Sequence, residues 1–439
     1  MTRETPIDRR LFLRSAGVAA AAAGVAPAVL AQRKPGEKVG VAMIGVGTRG
    51  FYLMKEFQKI PDVEIRVICD LYDGNLSRAR TNCVNDRVRT HKEWQKVMKD
   101  SEVDAVVIAT PDFWHAPMTI GAAEAKKDVY VEKGWCLNLK QAKQMRQAIK
   151  DNKIVMQLGH NYNSSPYFHK AREIYRSGEL GKVTVIRMFI DRTSPWPEWK
   201  FFQDYMVQDM PKDAGPETID WERFTAGASK RPFDAERFFL WRKWWEYGNG
   251  IAGDLMSHLW DSVNMVAGMG IPETAVTQGG NYFWKDGRDV PDMWHVLFDY
   301  PKQELAVTFN CTFSNRHYGE AAEYLGREQT LEVSPQMCRT YAAEWKPEYL
   351  ARRTEANHAG EKLGLVPLDY PVPPAYSMKK GELEVSSHFQ NFIDCVRSRA
   401  MPRCGVDRAF EEAAAVFLSV EAYKRSTKVR WEAGQEEIV

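Results

Sequence analysis

The chain has almost no excess of charge of either sign, with 60 Lys and Arg against 58 Asp and Glu. Nucleic acids and anionic membranes are recognised through clustered positive potential, so this balance points to neither partner. Paired cysteine spacing is also missing. Cys69, Cys83, Cys136, Cys311, Cys338, Cys395 and Cys404 match no zinc site or small disulfide framework, and an odd count leaves at least one unpaired. They read as core filler, and no metal site is expected. No internal repeat or low-complexity tract interrupts the chain.

What is present is length and apolar content. At 439 residues, 44% of them hydrophobic, the chain exceeds what one core usually serves, and two packed domains are expected. Residues 1–31 stand apart. Arg9 and Arg10 precede a small-residue apolar run from Ala16 to Ala28, and Val29-Leu30-Ala31 offers a cleavage end. This is the pattern of a twin-arginine export signal. The run is too short and too rich in Ala and Gly to favour a membrane anchor, so the expectation is a mature protein outside the cytoplasm, periplasmic in a two-membrane cell. Export in the folded state does not force disulfides on it.

Residues 32–158 alternate β-branched runs with helical stretches, the pattern of parallel strands joined by crossover helices. Expected strands are Val39–Gly45, Val63–Asp70, Asp104–Thr110, Asp128–Glu132 and Lys153–Leu158, with helices such as His115–Lys126 and Leu139–Lys150 between them. From 159 to 384 the texture changes to long loops, tryptophans and extended runs at Val183–Asp191, Ala275–Trp284, Trp294–Tyr300 and Leu305–Phe313. The last three are too closely spaced for crossover helices, which predicts an open, mainly antiparallel sheet in an α+β domain. The proline-bearing stretch Glu344–Lys380 reads as surface loop, and residues 385–439 as a helical segment packing on both domains.

Gly45, Gly47 and Gly50 follow the first strand directly and open a helix. Glycine at these positions permits a tight turn, backbone approach to a pyrophosphate and close helix–strand packing, while the helix start, including Thr48 and Arg49, offers anion-binding amides. Asp70 ends the second strand 20 residues past Gly50, where a carboxylate can accept from both hydroxyls of an adenosine ribose. NAD is therefore the expected cofactor, with NADP still open because Arg78 or Arg80 could reach a 2′-phosphate.

Three further segments complete a pattern: Thr110-Pro111-Asp112-Phe113-Trp114-His115, Val131-Glu132-Lys133, and Gly253-Asp254-Leu255-Met256-Ser257-His258. With the glycine loop and the stretch His388–Asp394 they resemble the glucose–fructose oxidoreductase, inositol dehydrogenase and rhizopine-catabolism family (Gfo/Idh/MocA). The resemblance implies a Rossmann domain followed by an α/β domain whose open sheet serves homo-oligomerisation, with sugars or polyols as substrates. It implies that Lys133 contacts a substrate hydroxyl, that Asp254 and His258 form the acid/base pair, and that Glu132 reaches the nicotinamide-side ribose. Gly134 stands where the family's Glu-Lys-Pro motif has proline, which is expected to loosen the turn beside the lysine.

The residues support the same chemistry directly. Oxidising a secondary alcohol needs a base for the hydroxyl proton and a cation for the developing alkoxide, and Lys133 and His258 suit those tasks. Four apart on a helix, Asp254 and His258 would share a face, so that the carboxylate orients or charges the imidazole. Thr110, Pro111, Trp114 and His115 sit at the strand ends where α/β sheets bind ligands, and are expected to border the cofactor. Tryptophans 196, 199, 241, 244, 245 and 260 offer stacking faces for a sugar, with Arg242 and Lys243 as donors, though core packing explains such residues equally well.

An exported protein meets little free nicotinamide cofactor. The expectation is a tightly held cofactor that is regenerated in place, by a second carbohydrate substrate or by return of the hydride to the same sugar. The latter describes a redox-neutral glycosidase or epimerase. A non-catalytic NAD-binding protein is the third reading.

Overall fold

The computed structural model describes residues 37–204, 207–342, 355 and 374–439. The export signal expected over residues 1–31 and most of the loop expected over Glu344–Lys380 lie outside the described residues.

Strands β1 (Val39–Ile44), β2 (Val63–Cys69), β3 (Arg89–His91), β4 (Ala105–Ile108), β5 (Asp128–Val131) and β6 (Met156–Leu158) form a parallel sheet in the order β3-β2-β1-β4-β5-β6. All residues of β1, β4 and β5 are buried, as expected where helices cover both faces. Strand β3, a polar edge strand of three residues, carries no hydrophobic signal and escaped the sequence reading. The crossover helix Leu139–Asn152 buries Ala142, Met145 and Ile149 from one stripe. Asn138 caps it by accepting from the Gln141 amide, a contact worth about 1 kcal/mol.

The second sheet comprises, among the described residues, β7 (Val183–Asp191), β8 (Thr274–Gly280), β9 (Met293–Tyr300), β10 (Leu305–Thr312), β11 (Glu320–Gly326), β12 (Gln329–Ser334), β13 (Met337–Ala342), β14 (Tyr376–Ser377), β15 (Val429–Glu432) and β16 (Glu437–Ile438). Their order is β14-β13-β12-β11-β7-β10-β9-β8-β15-β16. Only β7 and β10 pair in parallel there; the other pairings are antiparallel. Along β9, Trp294, Val296, Phe298 and Tyr300 are buried while His295 and Leu297 are exposed, so one face packs and the other stays open. Helices Pro166–Ser177, Ser257–Ala267 and Val406–Arg425 cover the buried face.

Strands β11 to β13 were not read from the sequence, and residues 385–439 are not purely helical as expected. Helices His388–Ser398 and Val406–Arg425 are followed by β15, which pairs with β8 and extends the large sheet. Period-2 pattern over four residues is too short to declare itself; pairing with β8 makes it a strand. One cluster of buried residues runs from Ala42 and Val106 of the first sheet, through Trp260 of helix Ser257–Ala267, to Trp294 and Phe309 of the second sheet, and residues 39–439 form one compact unit. All seven cysteines are free, and all but Cys83 are buried. Among the described residues no helix is long and apolar enough to cross a membrane.

Candidate active site

The glycine loop divides three tasks among its members. Gly45 takes φ +81°, and a Cβ there would lie 2.7 Å from the Ala109 carbonyl oxygen. At Gly50 a Cβ would fall 1.9 Å from the Gly45 carbonyl oxygen, so the first turn of helix Thr48–Phe57 packs directly on the loop. At Gly47 the nearest atom to a Cβ would be Asn75 Nδ2 at 3.8 Å, leaving the backbone approachable from the groove. Gly47 is also the N-cap and supplies no side-chain hydrogen bond to the first turn. Bare backbone, open space and a helix N-terminus together fit a pyrophosphate.

Asp70 is nearly buried at the end of β2. Its Oδ2 accepts from the Val46 amide at 2.7 Å and its Oδ1 from the Tyr72 amide at 2.9 Å. The carboxylate therefore fixes the shape of the glycine turn as well as lining the groove. Gly45, Gly47, Thr48, Arg49, Asp70, Thr110, Pro111, Trp114, Glu132 and Lys133 all line this groove. His115 does not. Fully buried, its Nδ1 lies 2.8 Å from the Gly134 carbonyl oxygen and its Nε2 2.9 Å from that of Thr110. It braces the end of β4 against the turn after β5, correcting the expectation that it borders the cofactor. Glu132 accepts from Arg49 Nε at 2.8 Å, tying β5 to the helix that starts at the glycine loop.

At the inner end of the groove, Lys133 reaches across to the second sheet's layer. Its Nζ donates to the Asp254 carbonyl oxygen at 2.8 Å and also to Asp254 Oδ1. Arg242 Nε donates to the same oxygen at 3.0 Å, and Trp199 Nε1 to Oδ2 at 2.7 Å. Burial lowers the Lys133 pKa, and the adjacent Arg242 works in the same direction. Burial would raise the Asp254 pKa, but Lys133 and Arg242 outweigh it and hold the carboxyl well below the usual carboxylate range.

The expected Asp254–His258 pair is not formed. Residues Ala252–Met256 make a π-helical turn before helix Ser257–Ala267. The wider turn breaks the four-residue repeat, and Lys133, Arg242 and Trp199 occupy the carboxylate. His258 instead packs its ring 5.1 Å from Tyr162 and 5.2 Å from His160, centroid to centroid. Burial, with Lys133 nearby, pushes its pKa well below the ordinary imidazole value, so His258 is neutral and able to accept a proton.

Asp112, within the Thr110–His115 segment, has a role that the sequence does not announce. It is buried at the start of helix Asp112–Glu124, at the edge of the groove, with the backbones of Gly134, Gly248 and Gly253 around its carboxyl. Burial pushes its pKa up to about 8 against the pull of Lys133 and Arg242, so the group is protonated at neutral pH. Gly134 has φ +63°, and a Cβ there would lie 2.3 Å from Asp112 Oδ2. Its glycine is thus a requirement of the packing, and the expectation of a loosened turn is corrected. The Arg192–Glu198 pair, 3.5 Å apart, carried no sequence signal.

An aromatic segment closes the outer side of the groove, to which Phe201, Phe202, Phe224, Phe238, Phe239 and Trp241 contribute. Backbone contacts hold it to the segment that follows β2: the Asp73 amide donates to the Thr218 carbonyl at 3.0 Å and the Asp220 amide to that of Leu71 at 2.9 Å. Trp114 Nε1 donates to the Phe224 carbonyl at 3.1 Å. Trp244 and Trp260 are buried in the core, whereas Trp199 and Trp241 belong to the site.

A parallel sheet with its glycine turn, strand-end acid and lysine on one groove, backed by a mainly antiparallel sheet, defines an NAD-binding α/β protein. Residues 39–160 match the Gfo/Idh/MocA family model, described as an oxidoreductase family with an NAD-binding Rossmann fold. Glycosyl hydrolase family 109 protein 1 of Shewanella sp. (strain MR-4) is 32% identical over 165 residues, covering 32% of this chain and 36% of its own. The scyllo-inositol 2-dehydrogenase (NAD(+)) of Bacillus subtilis (strain 168) is 27% identical over 164 residues, covering 37% and 47%. The chain thus spans under half the length of these two curated relatives. The WlbA dehydrogenase of Bordetella pertussis, solved with NADH and UDP-GlcNAcA, shares the fold at TM-score 0.64 and 15% identity, over 90% of this chain and 99% of that one.

Proposed function

We propose that the protein oxidises a secondary hydroxyl of a sugar, polyol or glycoside by hydride transfer, using an NAD that stays bound. The observation that carries this reading is the position of Lys133, on the dinucleotide groove and joined to Asp254 one turn ahead of His258. A bound nicotinamide would take the hydride from the carbinol carbon and, for net oxidation, pass it to the carbonyl of a second carbohydrate, which is reduced to the alcohol. Lys133 would donate to the substrate oxygen and stabilise its negative charge, while neutral His258 accepts the hydroxyl proton. Asp254 keeps the ammonium charged and aimed. Asp70 supports NAD over NADP, since a second negative group there would be repelled.

Retention of the cofactor is supported by the aromatic segment, whose rings and backbone contacts would have to part for a dinucleotide to leave. This suits the twin-arginine export and periplasmic location proposed for the mature chain. We further propose homo-oligomerisation through the open face of the large sheet, where Val276 and Leu297 are exposed and directly paired across β8 and β9. Substrate is expected to be an uncharged carbohydrate or polyol, as in the name of the scyllo-inositol relative.

Similarity to glycosyl hydrolase family 109 proteins favours a second reading, in which the hydride returns to the same sugar and the net reaction is redox-neutral. To test these readings, the purified protein is denatured and any released nucleotide identified. The intact protein is then screened with sugars and inositols for a change in dihydronicotinamide absorbance, and with chromogenic glycosides for aglycone release. Absorbance change supports net oxidation, and aglycone release without added acceptor supports the redox-neutral route. Bound NAD with neither activity would favour a non-catalytic binding protein, and absence of nucleotide would overturn the retained-cofactor reading.

A further inference from the structure

Behind His258 lies a polar cluster that the proposed reaction does not use. His160, at the end of the turn after β6, is completely buried, and its Nδ1 sits 2.9 Å from Asp261 Oδ2. Asp261, on helix Ser257–Ala267 one turn after His258, is also completely buried. The same Oδ2 accepts from Asn163 Nδ2 and, at 3.0 Å, from the Cys404 thiol, and Arg408 donates to Oδ1. Burial would raise the Asp261 pKa, but Arg408 and His160 hold this carboxyl below the usual range. A carboxylate can only accept, so His160 Nδ1 must carry the hydrogen of that contact. In the neutral ring this leaves His160 Nε2 as a bare lone pair.

That lone pair has no hydrogen-bond partner among the described residues, although the atom is buried; His258 Nδ1 is likewise buried and unpartnered. The two rings are neighbours, with centroids 5.2 Å apart and planes inclined by 53°. A buried polar nitrogen left unsatisfied costs on the order of 1–3 kcal/mol, so two on adjacent rings favour satisfying each other directly after a small ring rotation. Only one polarity works: His160 Nε2 must accept, and His258 Nδ1 must donate.

We propose that His160, oriented by Asp261, is a positioning residue that fixes the tautomer of His258. With its hydrogen held on Nδ1 toward His160, His258 presents Nε2 as the bare nitrogen that takes the substrate's hydroxyl proton. On accepting it, His258 becomes an imidazolium with both nitrogens donating, and the added charge is stabilised through His160 by the buried Asp261 carboxylate. Other titratable and charged groups around His258 are Lys133 on the β5 turn, Asp254 on the preceding π turn, Arg49 on helix Thr48–Phe57 and Tyr162. None of these groups hydrogen-bonds His258 Nδ1. The inference deepens the base role proposed above and rests on it.

The test reads the tautomer in protein that turns nothing over, so its failure is distinct from failure of the base assignment. Full-length, NAD-saturated protein carrying nitrogen-15 in its nine histidines is examined by long-range proton–nitrogen correlation, with His258→Ala and His160→Ala identifying the signals. The wild type is expected to show His258 protonated at Nδ1 and bare at Nε2, and His160 also protonated at Nδ1. In His160→Gln, whose side-chain oxygen can still accept, the His258 pattern should persist, while in His160→Ala it should shift toward the other tautomer. His258 protonated at Nε2 in the wild type, or unchanged in folded His160→Ala, overturns the proposal. If His160→Ala does not fold, the wild-type tautomers and His160→Gln still decide it.

Discussion

Replacing Gly134 with alanine should cost far more than a surface Gly→Ala change. The native φ of +63° places an L-residue in the left-handed region, a penalty of about 1–2 kcal/mol. A Cβ would also meet Asp112 Oδ2, Cγ and Oδ1 at 2.3, 2.4 and 2.5 Å. Asp112 is only 5% exposed, and Gly248 and Gly253 close the space behind it, where a Cβ would come within 3.1 and 3.7 Å of the same Oδ2. Overpacking of this kind costs about 1–3 kcal/mol, giving about 2–5 kcal/mol in all. Urea unfolding of Gly134→Ala in the wild-type and Asp112→Ala backgrounds separates the two contributions. In the second background only the backbone part, about 1–2 kcal/mol, should remain. A cost under about 1 kcal/mol in the wild type, or equal costs in both backgrounds, would refute the packing argument. Proline, with φ fixed near −65°, should be worse than alanine here despite its place in the related motif.

Asp112 should also shape the pH dependence of stability. Its pKa is raised from 3.8 to about 8 in the fold, so its contribution is complete below pH 3.8 and lost as pH rises through about 8. Asp112→Asn, which keeps the neutral shape, should gain on the wild type by a few kcal/mol between pH 5 and 9, each pKa unit being worth about 1.4 kcal/mol; parallel unfolding curves at both pH values would show an ionised carboxyl instead. Lys133→Met should lower turnover by roughly 100-fold or more while leaving a folded protein, because Arg242 and Trp199 still satisfy Asp254; retention of wild-type turnover would remove Lys133 from the chemistry. Phe239→Ala should speed loss of bound nucleotide by about tenfold or more, since about 1.4 kcal/mol of lost packing suffices, and a nucleotide-exchange time course checks it.

Much of the groove was legible because the relevant signals are local. A glycine triplet between a strand and a helix, followed by an acid at the next strand end, constrains backbone geometry within 26 residues of chain, Gly45 to Asp70. The resemblance likewise singled out Lys133, Asp254 and His258, though not how they pair. An ideal helix puts residues four apart on one face; the π turn at Ala252–Met256 cancels that rule, and nothing in Gly253–His258 announces it. Strands β11 to β13 were missed for a related reason, since their pattern is weak until neighbours supply the pairing.

The sequence by itself determined the parallel dinucleotide-binding domain, the Gly45–Gly47–Gly50 loop with Asp70, and the residue types available for alcohol chemistry, because each follows from short-range periodicity and backbone constraint. Only the tertiary structure decided that Lys133 rather than His258 takes Asp254, that Asp112 is enclosed by glycines and stays protonated, and that His160 stands behind His258. These depend on burial and on contacts between residues as far apart in the chain as Asp112 and Gly253, where desolvation and a neighbour's charge set the protonation state that chain order cannot encode.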